Sequence, residues 1–226
     1  MTPMTPRRTW STLALAVALS LSAACSNGDD GANPTADRAA ATEANLKAAD
    51  LPSGWSSRPN EPVPGDESLR PDIARCLGIS PPSEGATAEV RSPDFFQGLA
   101  TVFSLITFME TEAQAQAHAD ALTSDRFAAC AAPEYAEQMH QTAPEGNTVS
   151  DVNVSRRDFP ALGDRTAAHR ITATIQVNEQ ITVPITIDVI HIFEDRAQVE
   201  LTVVAPGQPF PDDFAPRLAE SIVDRL

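Results

Sequence analysis

The chain has 226 residues, of which 16 are basic and 31 are acidic, and its formal charge at pH 7 is −15. So acidic a chain is not expected to bind nucleic acid, because phosphates bind clustered lysine and arginine side chains. The charge indicates a soluble, self-repelling surface rather than a specific cation site.

The first 24 residues have the pattern of an export signal. Arg7 and Arg8 are the only charged residues in this segment, and an apolar run from Leu13 to Ala24 follows them. Twelve helical residues extend about 18 Å, which is less than the apolar core of a bilayer at about 30 Å. The run therefore predicts a signal peptide over residues 1–24, and not a membrane span.

The apolar run leads into Cys25, the last residue of the segment LSAAC at 21–25. This segment resembles the bacterial lipobox, in which a cysteine after small residues receives diacylglycerol and becomes the first residue of the mature protein. Ordinary cleavage after the small residues is the alternative, and it would release the protein from the membrane. Lipidation of Cys25 predicts a palmitate-bearing lipoprotein on the extracytoplasmic face of the cell membrane, because several acyl chains anchor a protein stably.

From the predicted lipidation site onward, the chain is expected to consist of a stalk and one domain. Residues 25–44 contain few large apolar side chains and many turn-forming ones, so we expect a flexible acidic stalk. Residues 45–226 are long enough for one domain with an ordinary core. Without residues 1–24 the formal charge becomes −17, since two basic residues and no acidic residue are lost.

The first half of the domain contains both helix and strand signals. The segment TVFSLITFM at 101–109 is apolar at almost every position, which predicts a strand in the interior of the sheet. Thr111 and Gln114 form a capping box for an alanine-rich helix. The small face of this helix is expected to pack on the sheet, and it consists of Ala113, Ala117 and Ala121. The other predicted elements are a helix from residue 43 to Pro52, a proline-rich loop to Pro64, a short helix at 72–77, a strand at 86–92 and a helix after Ser124 that Pro133 limits.

The second half of the domain has the pattern of successive strands. Apolar residues alternate with others at 171–177 and 181–189, which predicts antiparallel strands with one face on a core. Pro184 cannot donate to a neighbouring strand, so an edge or a bulge is expected there. The predicted strands cover 149–155, 170–177, 181–193 and 197–204, and a final helix covers 211–226. Strands and helices are segregated along the chain, which indicates an α+β fold with a twisted, mostly antiparallel sheet and helices packed on one face.

Cys76 and Cys130 are the other two cysteines of the mature chain. Disulfides persist outside the cytoplasm, so we expect a Cys76–Cys130 bridge, with two free thiols as the alternative. A metal site is not expected, because the chain has no CxxC motif and its four histidines are scattered.

No motif for catalysis is present in the sequence. The chain lacks the GxSxG, HExxH, Walker and GxGxxG patterns. Asp188 and His191 do not make an acid–base pair, because residues three apart on a strand point to opposite faces. We therefore expect no enzyme activity and no cofactor. Phe95 and Phe96 are candidates for lining an apolar ligand groove, although phenylalanines beside strand ends more often belong to the core.

Seven short features together resemble one family of envelope proteins. They are the lipobox cysteine, DLPSGW at 50–55, RCLG at 75–78, VRSPDF at 90–95, FSLITFMETEAQA at 103–115, DRFAAC at 125–130 and LGDRTAAHRI at 162–171. In these features the chain is similar to actinobacterial lipoproteins related to the extracellular sensor domain of PknH-type Ser/Thr kinases. The resemblance implies a twisted antiparallel sheet flanked by helices, disulfide bonding, and a ligand- or partner-sensing role without catalysis.

The chain departs from these relatives in having one possible disulfide instead of two, and no kinase or transmembrane segment. Signalling across the membrane therefore does not carry over, and no ligand residues do. The sequence favours a membrane-anchored, non-enzymatic domain that binds a small molecule, a lipid or a protein partner. The alternative is a carrier of a lipid or another hydrophobic ligand. Its cavity would be lined by residues such as Ile171, Ile175, Val183 and Ile187, whereas the sensor-like domain is expected to have a filled core.

Replacing Cys25 with serine removes the thiol that lipidation requires. We expect the Cys25→Ser chain to leave the membrane fraction, as measured by cell fractionation and immunoblotting. Ser26→Ala is the matched control, because it changes the neighbouring residue and keeps the thiol. Mass spectrometry that finds an unacylated Cys25 in the mature wild-type protein would contradict the prediction.

Overall fold

The computed structural model describes residues 32–59 and 70–226. The predicted signal peptide, Cys25 and the first part of the predicted stalk lie outside these residues. The described helices are α1 (Pro34–Ala44), α2 (Pro71–Leu77), α3 (Glu112–Thr123), α4 (Arg126–Thr142) and α5 (Phe214–Val223). The described strands are β1 (Ser56–Arg58), β2 (Ala86–Arg91), β3 (Asp94–Gln97), β4 (Ala100–Met109), β5 (Thr148–Arg156), β6 (Arg165–Asn178), β7 (Ile181–Glu194) and β8 (Ala197–Pro206).

The strands form one antiparallel sheet in the order β1-β3-β4-β8-β7-β6-β5, and β2 also pairs with β4. The α+β class and the antiparallel sheet are therefore confirmed. β4 lies in the interior of the sheet, because β8 pairs with one of its edges and β2 and β3 pair with the other. The expectation for Pro184 is also met, since β8 pairs with β7 only from Ile185 to Glu194 and leaves an edge beside the proline.

Helices cover both faces of the sheet, whereas the sequence predicted them on one. On the first face, α1 and α5 pack on a core that contains Ile190 and Ile192 of β7. On the second face, α2, α3 and α4 pack on a core that contains Val189 and Phe193 of the same strand. Successive side chains of a strand point to opposite faces, so a strand this apolar needs cover on both. α5 agrees with its prediction, because Phe214, Leu218 and Ile222 are buried in the first core.

Residues 34–44, which were predicted to be stalk, form helix α1 instead. Asn33 caps the helix, because its side-chain oxygen accepts hydrogen bonds from the backbone N–H groups of Thr35 and Ala36 at 3.2 Å. The prediction was wrong for this part because small apolar side chains can also be buried against a sheet. In the structure, Ala41 and Ala44 are completely buried, so their small size lets the helix lie close to the strands.

The helix predicted from residue 43 to Pro52 is also wrong. The chain leaves the helical conformation at Asn45, and only a short 3-10 turn follows at Ala48–Asp50. The side-chain amide of Asn45 donates to the carbonyl oxygen of Val90 at 2.8 Å, which ties this bend to strand β2. A side chain that bonds to a distant strand gives the backbone an alternative to continuing the helix.

Asp37 fastens α1 to one end of the sheet. Its carboxylate accepts hydrogen bonds from the Arg196 guanidinium at 2.7 and 3.1 Å and from the Thr87 hydroxyl. Arg196 also donates to the carbonyl oxygen of Met109 at 2.7 Å. Burial alone would raise the pKa of Asp37, but the hydrogen bonds from Arg196 and Thr87 outweigh it, so the pKa lies below its ordinary value. The group is therefore ionised at neutral pH and the ion pair persists there.

The capping box of α3 is confirmed, but a different face of this helix is buried. Ala113 and Ala117, which were expected to pack on the sheet, are exposed. The buried residues are Ala115, His118, Ala119 and Leu122. The larger apolar side chain of Leu122 determines which face turns inward, because its burial contributes more free energy than burial of an alanine.

Helix α4 continues to Thr142, well beyond the predicted limit at Pro133. A proline inside a helix removes one backbone hydrogen bond, but packing of the helix on its neighbours can offset that loss. Phe127, Cys130 and Ala131 are buried in the second core and hold the first half of α4 against the sheet.

The disulfide predicted between Cys76 and Cys130 is present, and it joins α2 to α4 with their Cα atoms 5.7 Å apart. It lies at the edge of the second core, which both helices contact. The guanidinium of Arg126 donates to the carbonyl oxygen of Cys76 at 2.6 Å beside it. The two helices on this face are therefore linked both covalently and by a hydrogen bond.

Replacing Cys76 and Cys130 together with serine should lower the free energy of unfolding by up to about 4 kcal/mol, because the bridge connects residues 54 apart in sequence. Urea unfolding of the oxidised wild-type and double-variant chains measures the difference. The wild-type chain with reductant is the matched control, and it should unfold at the same urea concentration as the double variant. Free thiols in the exported wild-type protein would contradict the prediction.

Candidate functional site

A cavity of about 250 Å³ lies on the second face of the sheet and is partly open to solvent. Strands β4, β7 and β8 form its floor, helices α2 and α4 form its roof, and one residue of β2 contributes at its side. The apolar lining residues are Ile73, Phe103, Leu105, Phe127, Met139, Ile187, Val189 and Val204. The polar lining residues are Arg70, Arg91, Tyr135, Gln138, Thr142, His191, Glu200 and Thr202.

The alternation of residues along β8 supplies polar groups to this floor. Val199, Leu201 and Val203 face the first core, so the residues between them point to the opposite face. Glu200 and Thr202 therefore face the cavity, and both line it. Glu200 lies directly opposite His191 of β7 in the register of the two strands.

Glu200 and His191 form a buried pair with unused hydrogen-bonding capacity. Glu200 is 8% exposed and His191 is 1% exposed, and Nε2 of His191 lies 3.3 Å from Oε2 of Glu200. Oε1 of Glu200 accepts a hydrogen bond from the Thr202 hydroxyl at 3.4 Å. Within residues 32–59 and 70–226, Oε2 of Glu200 and Nδ1 of His191 have no partner with hydrogen-bond geometry. Buried polar atoms are usually satisfied, so these two atoms require an explanation.

The neighbouring titratable groups are neutral. Burial raises the pKa of Tyr135 well above its ordinary value, and the negative charge of Glu200 raises it further. Tyr135 therefore presents a neutral hydroxyl to the cavity. Burial lowers the pKa of His169 to about 3, with a smaller contribution from His191, and its ring packs on Phe127 at 4.1 Å between centroids. Burial also lowers the pKa of His118, whose Nδ1 lies 3.2 Å from Oε1 of Gln198.

The two arginines that line the cavity have acidic neighbours. Nε of Arg70 lies 3.6 Å from Oε2 of Glu134, and an Nη atom of Arg91 lies 2.9 Å from Oδ1 of Asp94. The Arg91 guanidinium also lies over the Phe103 ring, 4.0 Å from its centroid. Among the ion pairs of the described residues, Glu200 has no arginine or lysine partner.

The structure separates the residues that the sequence suggested for a ligand groove. Phe95 is buried in the first core, whereas Phe96 points to the other face of β3 and packs under the guanidinium of Arg58, 4.6 Å from the ring centroid. Neither residue lines the cavity on the second face. Of the four residues named for a carrier cavity, Ile187 lines it and Ile171 is buried in the second core.

Asp188 and His191 point to opposite faces, as the strand spacing predicted. Asp188 accepts hydrogen bonds from Arg157 at 2.5 Å and from Arg170 at 2.7 and 2.9 Å. This group is an ion-pair cluster on the first face and is separate from the cavity. The lipidation site Cys25 lies outside the described residues.

Sequence analysis did not identify Tyr135 or Glu200 as site residues. Glu200 could have been identified from the sequence, because it is the single charged residue within β8. The tight turn at Asp195 and Arg196 also places residue 200 opposite residue 191, so their pairing follows from the hairpin. Tyr135 gave no such signal, since it reaches the cavity from a helix far away in the sequence.

No cluster of three or more histidine, cysteine or acidic side chains with the spacing of a metal site occurs in residues 32–59 and 70–226. No helix within the same residues is both long enough and apolar enough to cross a membrane.

The fold is similar to two solved structures at low sequence identity. One is the extracellular domain of PknH from Mycobacterium tuberculosis, at 11% identity and a TM-score of 0.42, covering 83% of this chain and 95% of that one. The other is LpqN, involved in cell envelope biogenesis of Mycobacterium tuberculosis, at 13% identity and a TM-score of 0.31, covering 80% and 79%. No protein-family model matches the chain, and no curated protein matches it. Similarities this distant assign neither a ligand nor an activity to this chain.

Replacing Glu200 with glutamine should raise the free energy of unfolding by about 1–2 kcal/mol, because a buried carboxylate oxygen without a hydrogen-bond partner destabilises the folded state. Urea unfolding at neutral pH measures the change. Glu110→Gln is the matched control, since Glu110 is exposed, and its effect should stay within about 0.5 kcal/mol. A loss of more than 1 kcal/mol in Glu200→Gln would mean that the carboxylate is satisfied in the folded protein.

Proposed function

We propose that this chain is a membrane-anchored extracytoplasmic lipoprotein whose domain is a non-enzymatic binding module. Its ligand is a small molecule that occupies the cavity between the sheet and helices α2 and α4. The observation that carries the proposal is the buried Glu200–His191 pair, which lines that cavity and has unpartnered atoms. Such groups are retained at binding sites because a ligand satisfies them, although they cost stability in its absence.

The residues around the cavity support binding rather than catalysis. A nucleophilic mechanism requires a hydroxyl or thiol within hydrogen-bond reach of a base. In the described part of the chain, the Thr202 hydroxyl donates to Glu200, and no hydrogen bond joins a hydroxyl of the cavity to His191. The raised pKa of Tyr135 also makes its hydroxyl a poor acid at neutral pH.

The size of the cavity favours a small ligand over a lipid cargo. Its volume is about 250 Å³, whereas pockets for drug-sized molecules usually measure about 300–1,000 Å³. The hydrocarbon chains of a diacyl lipid need still more space. The first core, by contrast, consists of buried apolar side chains.

The proposed location rests on the sequence of the N-terminal region. The basic and apolar regions of residues 1–24 and the cysteine at position 25 are those of a lipoprotein signal. The disulfide between Cys76 and Cys130 is consistent with an oxidising environment outside the cytoplasm. A ligand-binding domain held there would meet small molecules of the envelope or the medium.

Filling the cavity should abolish ligand retention. We expect native mass spectrometry of the wild-type protein, released gently from its own envelope, to show a stoichiometric non-covalent ligand, and the Ile187→Trp protein to lack it. Val177→Trp is the matched control, because Val177 is 42% exposed and lies outside the cavity. Circular dichroism would verify that both variants are folded. Absence of a bound molecule from the wild-type protein, or equal retention by folded Ile187→Trp, would contradict the proposal.

A further inference from the structure

The electrostatics of the cavity specify the class of its ligand. We infer that the cavity binds an organic cation, a primary ammonium group on a short apolar body, with the ammonium group bound by Glu200. This inference rests on the proposed function, since it names the ligand of the same cavity. Three independent features carry it: the charge of the lining, the hydrogen-bonding atoms that it offers, and the shape of its apolar part.

The lining has one negative charge that no described arginine or lysine compensates. Arg91 is paired with Asp94, and Nε of Arg70 lies 3.6 Å from Oε2 of Glu134 without forming a hydrogen bond to any described residue, so neither guanidinium is the partner of Glu200. This leaves Glu200, which is 8% exposed and has no arginine or lysine partner among the described residues. Its neighbour His191 carries a full charge only when it is protonated. A buried charge needs a partner of opposite sign, because the protein interior screens it weakly. A ligand cation supplies that partner.

The atoms without a hydrogen-bond partner at the floor of the cavity can accept hydrogen bonds from an ammonium group. Oε2 of Glu200 is an acceptor, and Nδ1 of His191 is also an acceptor in the tautomer that carries its proton on Nε2. Tyr135 also lines the cavity, and its hydroxyl oxygen can accept a hydrogen bond. A primary ammonium has three N–H donors and no acceptor, so it matches a lining that offers acceptors. An alcohol has one donor, and a carboxylate ligand would be repelled by Glu200.

The remaining walls fit an apolar body of limited size. Ile73, Phe127, Met139 and Val189 surround the space beside the Glu200–His191 pair. An apolar cavity of about 150 Å³ holds benzene, so a volume of about 250 Å³ has room for a body of roughly six to ten carbon atoms.

Three six-carbon probes of equal length separate the inference from its alternatives. The full chain carrying Cys25→Ser, exported so that its disulfide forms, is titrated with hexylammonium, 1-hexanol and hexanoate at neutral pH by isothermal calorimetry. We expect hexylammonium to bind about tenfold more tightly than 1-hexanol, because a charge-assisted hydrogen bond replaces a neutral one. Hexanoate should bind more weakly than either.

Glu200→Gln tests which group recognises the cation. In this variant we expect the preference for hexylammonium over 1-hexanol to fall to less than about threefold, because the amide has no charge. The affinity for 1-hexanol should be the same as in the wild-type chain. Glu110→Gln removes one acidic charge from an exposed position and should leave the preference unchanged.

The outcomes distinguish failure of this inference from failure of the proposed function. If 1-hexanol or hexanoate binds the wild-type chain as tightly as hexylammonium, or if Glu200→Gln keeps the full preference, the cavity binds ligands but the ammonium inference is wrong. If none of the three probes binds the wild-type chain, or if Ile187→Trp binds them equally well, both the inference and the assignment of this cavity fail.

Discussion

Strand β8 is covered on both faces, and the arrangement of the rest of the molecule depends on this constraint. Eight of its ten residues are buried. Its side chains form an apolar row on the first face and a polar row, Gln198, Glu200 and Thr202, on the second. Glu200 and Thr202 of this polar row lie at the floor of the cavity. Residues that alternate along β8 therefore contribute to an apolar core on one side of the sheet and to the floor of the cavity on the other.

The two helical layers are attached to the sheet by different interactions. On the first face, ion pairs hold the chain ends in place: Asp37 with Arg196, and Asp50 with Arg225, whose two contacts are both 2.8 Å. On the second face, the covalent bridge between α2 and α4 joins the two helices that roof the cavity. On the first face, α1 is therefore attached to the turn between β7 and β8, and the segment after α1 is attached to the chain that follows α5, whereas the second layer is stabilised partly by a link between its own helices.

The elements predicted best from the sequence are those in which the pattern of apolar residues matches the pattern of burial. Strands β6 and β7 and helix α5 follow from local periodicity, because their apolar residues recur at the spacing of one face, and β4 follows from an almost continuous apolar run. Helix α1 was missed because its contact with the sheet depends on small residues, Ala41 and Ala44, which have no distinctive pattern. The cavity was missed for another reason: Arg70, Tyr135 and Glu200 come from three separate elements, and only the tertiary fold brings them together.

Pro133 lies inside helix α4 and divides the helix into two halves. Cys130 anchors the first half, and Tyr135 and Met139 in the second half cover the cavity. Proline has no N–H, so the carbonyl oxygen of Ala129 receives no backbone hydrogen bond from residue 133, and bending at this point costs less than elsewhere in the helix. Tyr135 and Met139 lie beyond this proline and Cys130 lies before it, so a bend of α4 at Pro133 would displace the residues that line the cavity and leave the covalent bond to α2 intact.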